Sequence, residues 1–394
     1  MSPITFDIER ARRETRGCEQ AIHFNNAGSA MTPAPVADYL YEYLRDDEVK
    51  GGYETAAARH DALENFYKAT ARLVNGDPDE IAFVENATRA WDMVFYAFPL
   101  GEGDRVLTTV SEYGSNLIAY LQRARQCGAE VVVIPNDNYG QIDTTALEGA
   151  IDSRTKLISI SHIPTGGGLV NPAKEVGRIA RAHGVPFLLD ACQSAGQIPL
   201  DVEELGCDFL SATGRKYLRG PRGTGLLYVR REWITKLEPP LLDQFAADLL
   251  DAETYVVRED ARRFENWERY FAGQAALGVA IDYAMSWGVE AIWERVSTLA
   301  ARLRAELADI REIKLADEGE VKCGLVTFQH ARLSVGDVKD RLAEHRINVS
   351  TSSGPGMRLS YLARGLEDGL VRASVHYYNT DDEIDRFVAA IREM

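Results

Sequence analysis

Short apolar runs alternate with helical periodicity through the middle of the chain. Residues 104–110 read as a strand, 115–126 as a helix closed near Gly128, and 130–135 as the next strand. A helix over 145–151, a strand over 157–161 and a helix over 173–183 follow, with Gly184 behind the last. Strands over 186–189, 209–212 and 225–229 complete the series. The strands are continuously apolar rather than alternating, so both sheet faces are expected to be covered. Helices between them make the sheet mostly parallel. Gly128 and Gly184 suit helix C′ positions, where the left-handed conformation costs least without a Cβ.

From about residue 260 the pattern changes. Helices are predicted over 274–287 and 291–310, then a strand over 325–328, a helix over 335–345 and a strand over 371–375. A last helix covers 381–392; Thr380 is its N-cap, and Asp381, Asp382 and Glu383 suit its first turn. The expected fold is therefore α/β: a large domain over 21–260 with a mostly parallel sheet, and a smaller α+β domain from 1–20 and 261–394. The acidic, irregular stretch 242–260 reads as the crossover.

Composition narrows the class. A chain of 394 residues, 45% hydrophobic, can bury a large core and is expected to form two domains. No run approaches the length of a membrane-spanning helix. The start, Met1-Ser2-Pro3-Ile4-Thr5-Phe6-Asp7, has no signal-like apolar stretch, so a cytoplasmic location and no membrane partner are expected. Five scattered cysteines without a CxxC pair argue against a disulfide framework and against a metal site. A net charge of −16 repels a phosphate backbone and excludes nucleic acid as the expected partner. Arg215, Arg219 and Arg222 stand out against that acidity, and a small anionic ligand would explain them.

The candidate chemistry centres on Lys216, in Ser211-Ala212-Thr213-Gly214-Arg215-Lys216-Tyr217 followed by Gly220-Pro221-Arg222-Gly223-Thr224-Gly225. A lysine among so many small residues suits an amine that forms an imine with an aldehyde while its neighbours hold a phosphate. Asp190 follows the apolar run Phe187-Leu188-Leu189, which delivers its carboxylate to the carboxyl edge of the sheet, where ligands of open α/β folds sit. Facing a pyridine nitrogen there, it would keep the ring protonated. Together the two residues read as a pyridoxal phosphate (PLP) site. Gln193, three residues on, is placed to donate to the ring's phenolic oxygen. In Val84-Glu85-Asn86-Ala87-Thr88, a strand runs into a helix start. Its free N–H groups and the Thr88 hydroxyl suit a phosphate, while an ordinary N-cap by Asn86 or Thr88 reads equally well. Tyr113, after the strand ending at Val110, is a ring-stacking candidate or a packing residue. Arg372, inside an apolar strand, needs an anionic partner: a substrate carboxylate or an internal salt bridge. Thr165-Gly166-Gly167-Gly168 lacks P-loop and GxGxxG spacing and reads as a tight turn near the cofactor.

In this order, these pieces resemble the class V aminotransferase and cysteine desulfurase family of fold-type I PLP enzymes. The match extends from Phe24-Asn25-Asn26-Ala27-Gly28-Ser29-Ala30, similar to the family's N-terminal substrate loop, to Arg372-Ala373-Ser374-Val375-His376. The resemblance implies Lys216 as the Schiff-base lysine, Asp190 as the pyridinium partner and Gln193 near the ring oxygen. It implies Ala87, Thr88, Thr213 and Arg215 at the phosphate. It puts Tyr113 where desulfurases carry a ring-stacking His, and Thr165 where many members have an Asn near the ring oxygen. Asn26 and Arg372 become substrate contacts. Thr224 is placed to reach a neighbouring subunit's cofactor, because these enzymes are usually homodimers with shared sites.

Two departures bear on the reaction. Desulfurases carry a catalytic Cys on the loop before the C-terminal strand, and residues 350–369 contain none. Their Gly-Thr-Pro-Asn segment is replaced by Phe264-Glu265-Asn266-Trp267-Glu268-Arg269, which resembles the subgroup around isopenicillin N epimerase-like proteins and hercynylcysteine sulfoxide lyases. Cys192 stands where the family usually has a small residue under the ring, and reads as a filler. The expected activity is α-proton abstraction from an amino acid followed by β-elimination at a C–S bond of a cysteine conjugate. Transamination and epimerisation are the alternatives, and a non-catalytic PLP-fold protein is a further one. Side-chain selectivity is expected from loop residues, among them Tyr53, Arg59, Tyr361 and Arg364.

Overall fold

The structure, a computed structural model, describes residues 6–394; residues 1–5, grouped above with the small domain, lie outside the described residues. Seven strands, β1 (Ile81–Val84), β2 (Arg105–Thr109), β3 (Glu130–Ile134), β4 (Thr155–Ser161), β5 (Phe187–Asp190), β6 (Phe209–Thr213) and β7 (Gly225–Val229), form one sheet in the order β1-β7-β6-β5-β4-β2-β3. β7 is antiparallel to both its neighbours, and all other pairs are parallel. The expected α/β sheet is present.

The continuous apolar runs follow from two-sided burial. Every residue of β5 and β6 is buried. Leu189 and Leu210 enter a core closed by the helices His60–Val74 and Ala173–His183, while Leu188 and Phe209 enter another closed by Ala87–Phe95. Gly128 and Gly184 end their helices in the left-handed region, at φ 76° and 64°.

A second sheet, β8 (Ile313–Leu315), β9 (Leu325–His330), β10 (Ser350–Ser352) and β11 (Leu370–Ser374), is antiparallel in the order β8-β9-β11-β10. The helices Val289–Ala308 and Asp381–Arg392 back it. Thr380 caps the latter through a reciprocal pair with Glu383. The chain's start joins this layer, because Ile22–His23 pairs in parallel with Ile347–Asn348. Helix Phe271–Trp287 serves both cores. Ala276, Leu277, Ala280 and Ile281 pack under the large sheet, and Tyr283, Ala284 and Trp287 pack with the small one.

Two features differ from the expected elements. The crossover is not wholly irregular: Ala247–Leu249 and Tyr255–Val257 pair as a short hairpin, its turn set by Asp251, which accepts the N–H groups of Glu253 and Thr254. Helices Ala34–Lys50 and His60–Val74 lie outside the predicted set. The first buries only Val36 and Tyr43, so it carries almost no apolar stripe to read.

Candidate active site

The parallel strands β2, β4, β5 and β6 end at Thr109, Ser161, Asp190 and Thr213 along one edge of the sheet. Ser161 pairs with Asp190, and Asp190 with Ser211, so the strand ends are in register. A cavity of about 370 Å³ opens there, within the usual range for small-molecule sites. Each strand sends its following loop into the wall: Tyr113 after β2, Ile163 and Thr165 after β4, Cys192 and Gln193 after β5, and Arg215 and Lys216 after β6. Ala87 and Thr88 close one side. The topology thus collects nine of the candidate residues at one place.

Lys216 is half-buried in the turn after β6. Burial holds its amine below the usual lysine range. Arg215 and Arg372 push the same way, while Cys192 and Asp190 oppose. Asp190 is fixed from two directions: Oδ1 accepts the Cys192 N–H at 2.9 Å, and Oδ2 accepts the Asn116 side-chain amide at 3.2 Å. Neither Lys216 nor Asp190 forms an ion pair among the described residues.

The helix Ala87–Phe95 resolves the N-cap question in part. Asn86 is the cap, accepting the Arg89 N–H at 2.9 Å. That leaves the N–H groups of Ala87 and Thr88, with the Thr88 hydroxyl, at the cavity wall, where they can hold an anion. Gly225 makes the arrangement possible, since a Cβ there would lie 2.9 Å from the Asn86 carbonyl carbon and 3.1 Å from the Ala87 nitrogen. Arg215 Nη1 donates to Thr213 Oγ1 at 3.0 Å, so the two share one corner.

Tyr113 is 38% exposed and lines the cavity, so it is not a packing residue. Gln193 Nε2 donates to the Ala27 carbonyl at 3.0 Å and to Thr165 Oγ1 at 3.3 Å. Its Oε1 is buried with no partner among the described residues. An orphaned polar atom beside a cavity is the kind of group a ligand satisfies.

Arg372 reaches the site from β11. Nη1 donates to the Thr165 carbonyl at 2.9 Å and Nε to Ser350 Oγ at 3.0 Å. No carboxylate pairs with it among the described residues, so the internal salt bridge is not what holds it. A buried, unpaired guanidinium next to a cavity suits an anionic ligand.

Asn26 and Thr224 do not line the cavity. Asn26 spends its amide on the carbonyls of Ser374 (2.7 Å) and His23 (3.0 Å), tying the N-terminal segment to β11; as a substrate contact it finds no support. Thr224 is buried, and its hydroxyl donates to the Pro221 carbonyl at 2.6 Å. The candidate selectivity residues are also elsewhere. Arg59 pairs with Asp46 and Arg364 with Glu318. Tyr53 is exposed. Tyr361 is buried behind the Thr165 turn, donating to the Gly166 carbonyl at 3.3 Å. A Cβ on Gly166 would lie 2.7 Å from that hydroxyl, so this glycine permits a close approach as well as a turn.

Sequence reasoning passed over Glu112 and Asn116. Glu112 is fully buried and accepts from Ser161 Oγ (2.6 Å), the Tyr113 N–H (2.7 Å), Asn116 Nδ2 (3.0 Å), Thr108 Oγ1 (3.1 Å) and the Ser161 N–H (3.2 Å). Burial pushes its carboxyl up to about 7; the charge of Asp190 adds to this, and the hydrogen bonds oppose it. The signal was a carboxylate and an amide four residues apart just after a strand end, on either side of a helix start.

A sequence model described as aminotransferase class-V matches residues 22–387. The chain belongs to the class V aminotransferase family. A probable cysteine desulfurase of Methanothermobacter thermautotrophicus is 30% identical over 99% of each chain, and a cysteine desulfurase of Serratia proteamaculans is 30% identical over 99% of each. The apo structure of a cysteine desulfurase from Thermococcus onnurineus superposes with a TM-score of 0.92 at 27% identity, covering 100% of this chain and 99% of that one. The cystine C-S lyase C-DES, solved with its reaction product cysteine persulfide, shares the fold at a TM-score of 0.87 and 23% identity. As a family member the protein is a PLP-dependent enzyme. Its cavity fits that cofactor: an amine of lowered basicity, a fixed carboxylate, a helix start for a phosphate and an orphaned amide oxygen lie around one space. Among the described residues, no helix is long and apolar enough to cross a membrane.

Proposed function

We propose that the enzyme cleaves the Cβ–S bond of a cysteine conjugate by β-elimination. The carrying observation is a lysine, carboxylate and arginine set without a thiol on residues 350–369. That segment is β10, the turn Gly354–Met357 and the helix Arg358–Arg364, with no sulfur acceptor anywhere along it.

Each residue has a role in this reading. Arg372 holds the substrate α-carboxylate through its guanidinium fork. Lys216, its basicity lowered by burial, takes the α-proton. Bound PLP supplies the sink for the electron pair left at the α-carbon. Asp190 holds the proton on the ring nitrogen. Ala87, Thr88, Thr213 and Arg215 would hold the phosphate, and Tyr113 would cover the ring face. Gln193 and Thr165 would face the ring oxygen. The Cβ–S bond then breaks, with its electrons leaving on sulfur as a thiol or sulfenate. Water releases the remaining three carbons as pyruvate and the nitrogen as ammonia.

Cys192 is the cavity's single cysteine among the described residues. Burial first, and then Asp190, push its thiol far above the usual range, so it stays protonated and is a poor sulfur acceptor. A cytoplasmic homodimer is part of the same proposal. Exposed Tyr53, Leu249, Leu250 and Trp267 supply apolar surface for a second copy, and gel filtration with light scattering tests the mass.

Incubating the PLP-loaded enzyme with S-alkyl cysteines and their sulfoxides tests the reaction. Pyruvate and ammonia in equal amounts, with free thiol or sulfenate products, are expected. A keto acid formed only in step with amination of a second keto acid would overturn elimination in favour of transamination.

A further inference from the structure

Asn116 joins two buried carboxyls. Its Nδ2 donates to Glu112 Oε1 at 3.0 Å and to Asp190 Oδ2 at 3.2 Å. Neither carboxyl forms an ion pair with any described residue. Five donors converge on Glu112, from β2, from the loop after it, from the helix Gly114–Cys127 and from β4. A carboxyl surrounded by donors is an acceptor at every oxygen, and those hydrogen bonds favour its charged form against the burial that pushes it up to about 7. The titratable groups that act on it or on which it acts are Asp190 and Tyr120.

Burying two acidic groups on one amide with no ion-paired counter-charge is costly. The cations at the cavity wall, Lys216, Arg215 and Arg222, and Arg372 beside it form no ion pair with either acid among the described residues. A positive charge brought in by the ligand, next to Asp190, would complete the balance, and a protonated ring nitrogen is that charge.

We propose that Glu112 is a positioning residue for the cofactor: through Asn116 it fixes the Asp190 carboxylate and adds a second negative charge that holds the ring proton. The inference rests on the reading of Asp190 as the ring's partner.

The test uses holoenzyme loaded with PLP labelled with ¹⁵N in the ring, its nitrogen shift followed against pH by NMR. Three variants are compared with wild type: Asp190→Asn, Glu112→Gln and Asn116→Ala. Asn116→Ala keeps four of the Glu112 hydrogen bonds and is the safer variant for folding; melting of each apo-protein monitors the fold. Asp190→Asn is expected to move the nitrogen to its unprotonated position. Glu112→Gln and Asn116→Ala are expected to lower the pH at which the ring proton is lost, by on the order of one unit. If Asp190→Asn leaves the nitrogen unmoved, the ring-partner reading fails. If Asp190→Asn moves it while folded Glu112→Gln and Asn116→Ala titrate as wild type, Glu112 is only structural and the inference fails.

Discussion

Arg372, on the middle of the small sheet, donates to the carbonyl of Thr165, on the loop that follows β4 of the large sheet, at 2.9 Å. The contact holds a guanidinium from one layer beside a cavity built by the other. The fork geometry matters more than the charge, because a lysine offers no second coplanar donor. Arg372→Lys should lower kcat/KM for amino-acid substrates roughly 100-fold, in line with the loss of charge-assisted hydrogen bonds. Most of the change should appear in KM, with PLP still bound. Steady-state kinetics and the cofactor's absorbance check this; an unchanged KM would remove Arg372 from the substrate.

The lowered basicity of Lys216 sets the pH dependence of cofactor capture. Only the neutral amine attacks an aldehyde. A pKa below the ordinary 10.5 means that the neutral form already dominates at lower pH, so the capture rate should level off before pH 10.5. Stopped-flow absorbance of apo-protein mixed with PLP measures this. A rate still climbing about fivefold between pH 9.5 and pH 10.5 would show an unperturbed amine. Lys216→Ala should abolish covalent capture, and borohydride should then fix no label.

Cys192 lies in the cavity but should not act as a nucleophile, because its thiol is held protonated by burial and by Asp190. Cys192→Ala should leave turnover within a few-fold of wild type. With free cysteine as substrate, mass spectrometry of the intact chain should show no added sulfur. A stable persulfide on Cys192 would convert the reading to sulfur transfer.

Legibility followed the physics of each element. The central strands were readable because burial on both faces writes an uninterrupted apolar run, as in β5 and β6. Lys216 and Asp190 were readable because the strands deliver them to one edge, and their neighbours are small or apolar. Asn26 donates to the Ser374 and His23 carbonyls, a long-range link that no local pattern encodes. Glu112 is not legible locally, because its partners include Thr108 on β2 and Ser161 on β4, and Asp190 on β5 is reached only through Asn116. The helix Ala34–Lys50 escaped because it faces mostly outward.

Glu265 gives the last prediction, on stability. It lies in the segment that replaces the desulfurases' Gly-Thr-Pro-Asn, and it is buried at 1% exposure. Its Oε1 accepts the Phe83 N–H of β1 at 2.8 Å, and its Oε2 accepts the Tyr67 hydroxyl at 3.0 Å. β1 is an edge strand, so this carboxyl satisfies a backbone donor that has no neighbouring strand. Arg269 lies 3.6 Å away and is nearly buried itself. Glu265→Ala would orphan the Phe83 N–H, the Tyr67 hydroxyl and the Arg269 charge together, at a cost of about 3 kcal/mol. Burial pushes the Glu265 carboxyl up to about 7, so the folded state binds its proton more tightly than the unfolded chain. That contribution is fully present below about pH 4.5 and is lost as pH rises through about 7. The wild-type advantage over Glu265→Gln should therefore shrink from acid to neutral pH. Urea melts of both proteins at pH 5 and pH 8 measure the difference, and an advantage that grows toward pH 8 would mean that the ionised form is the one the fold prefers.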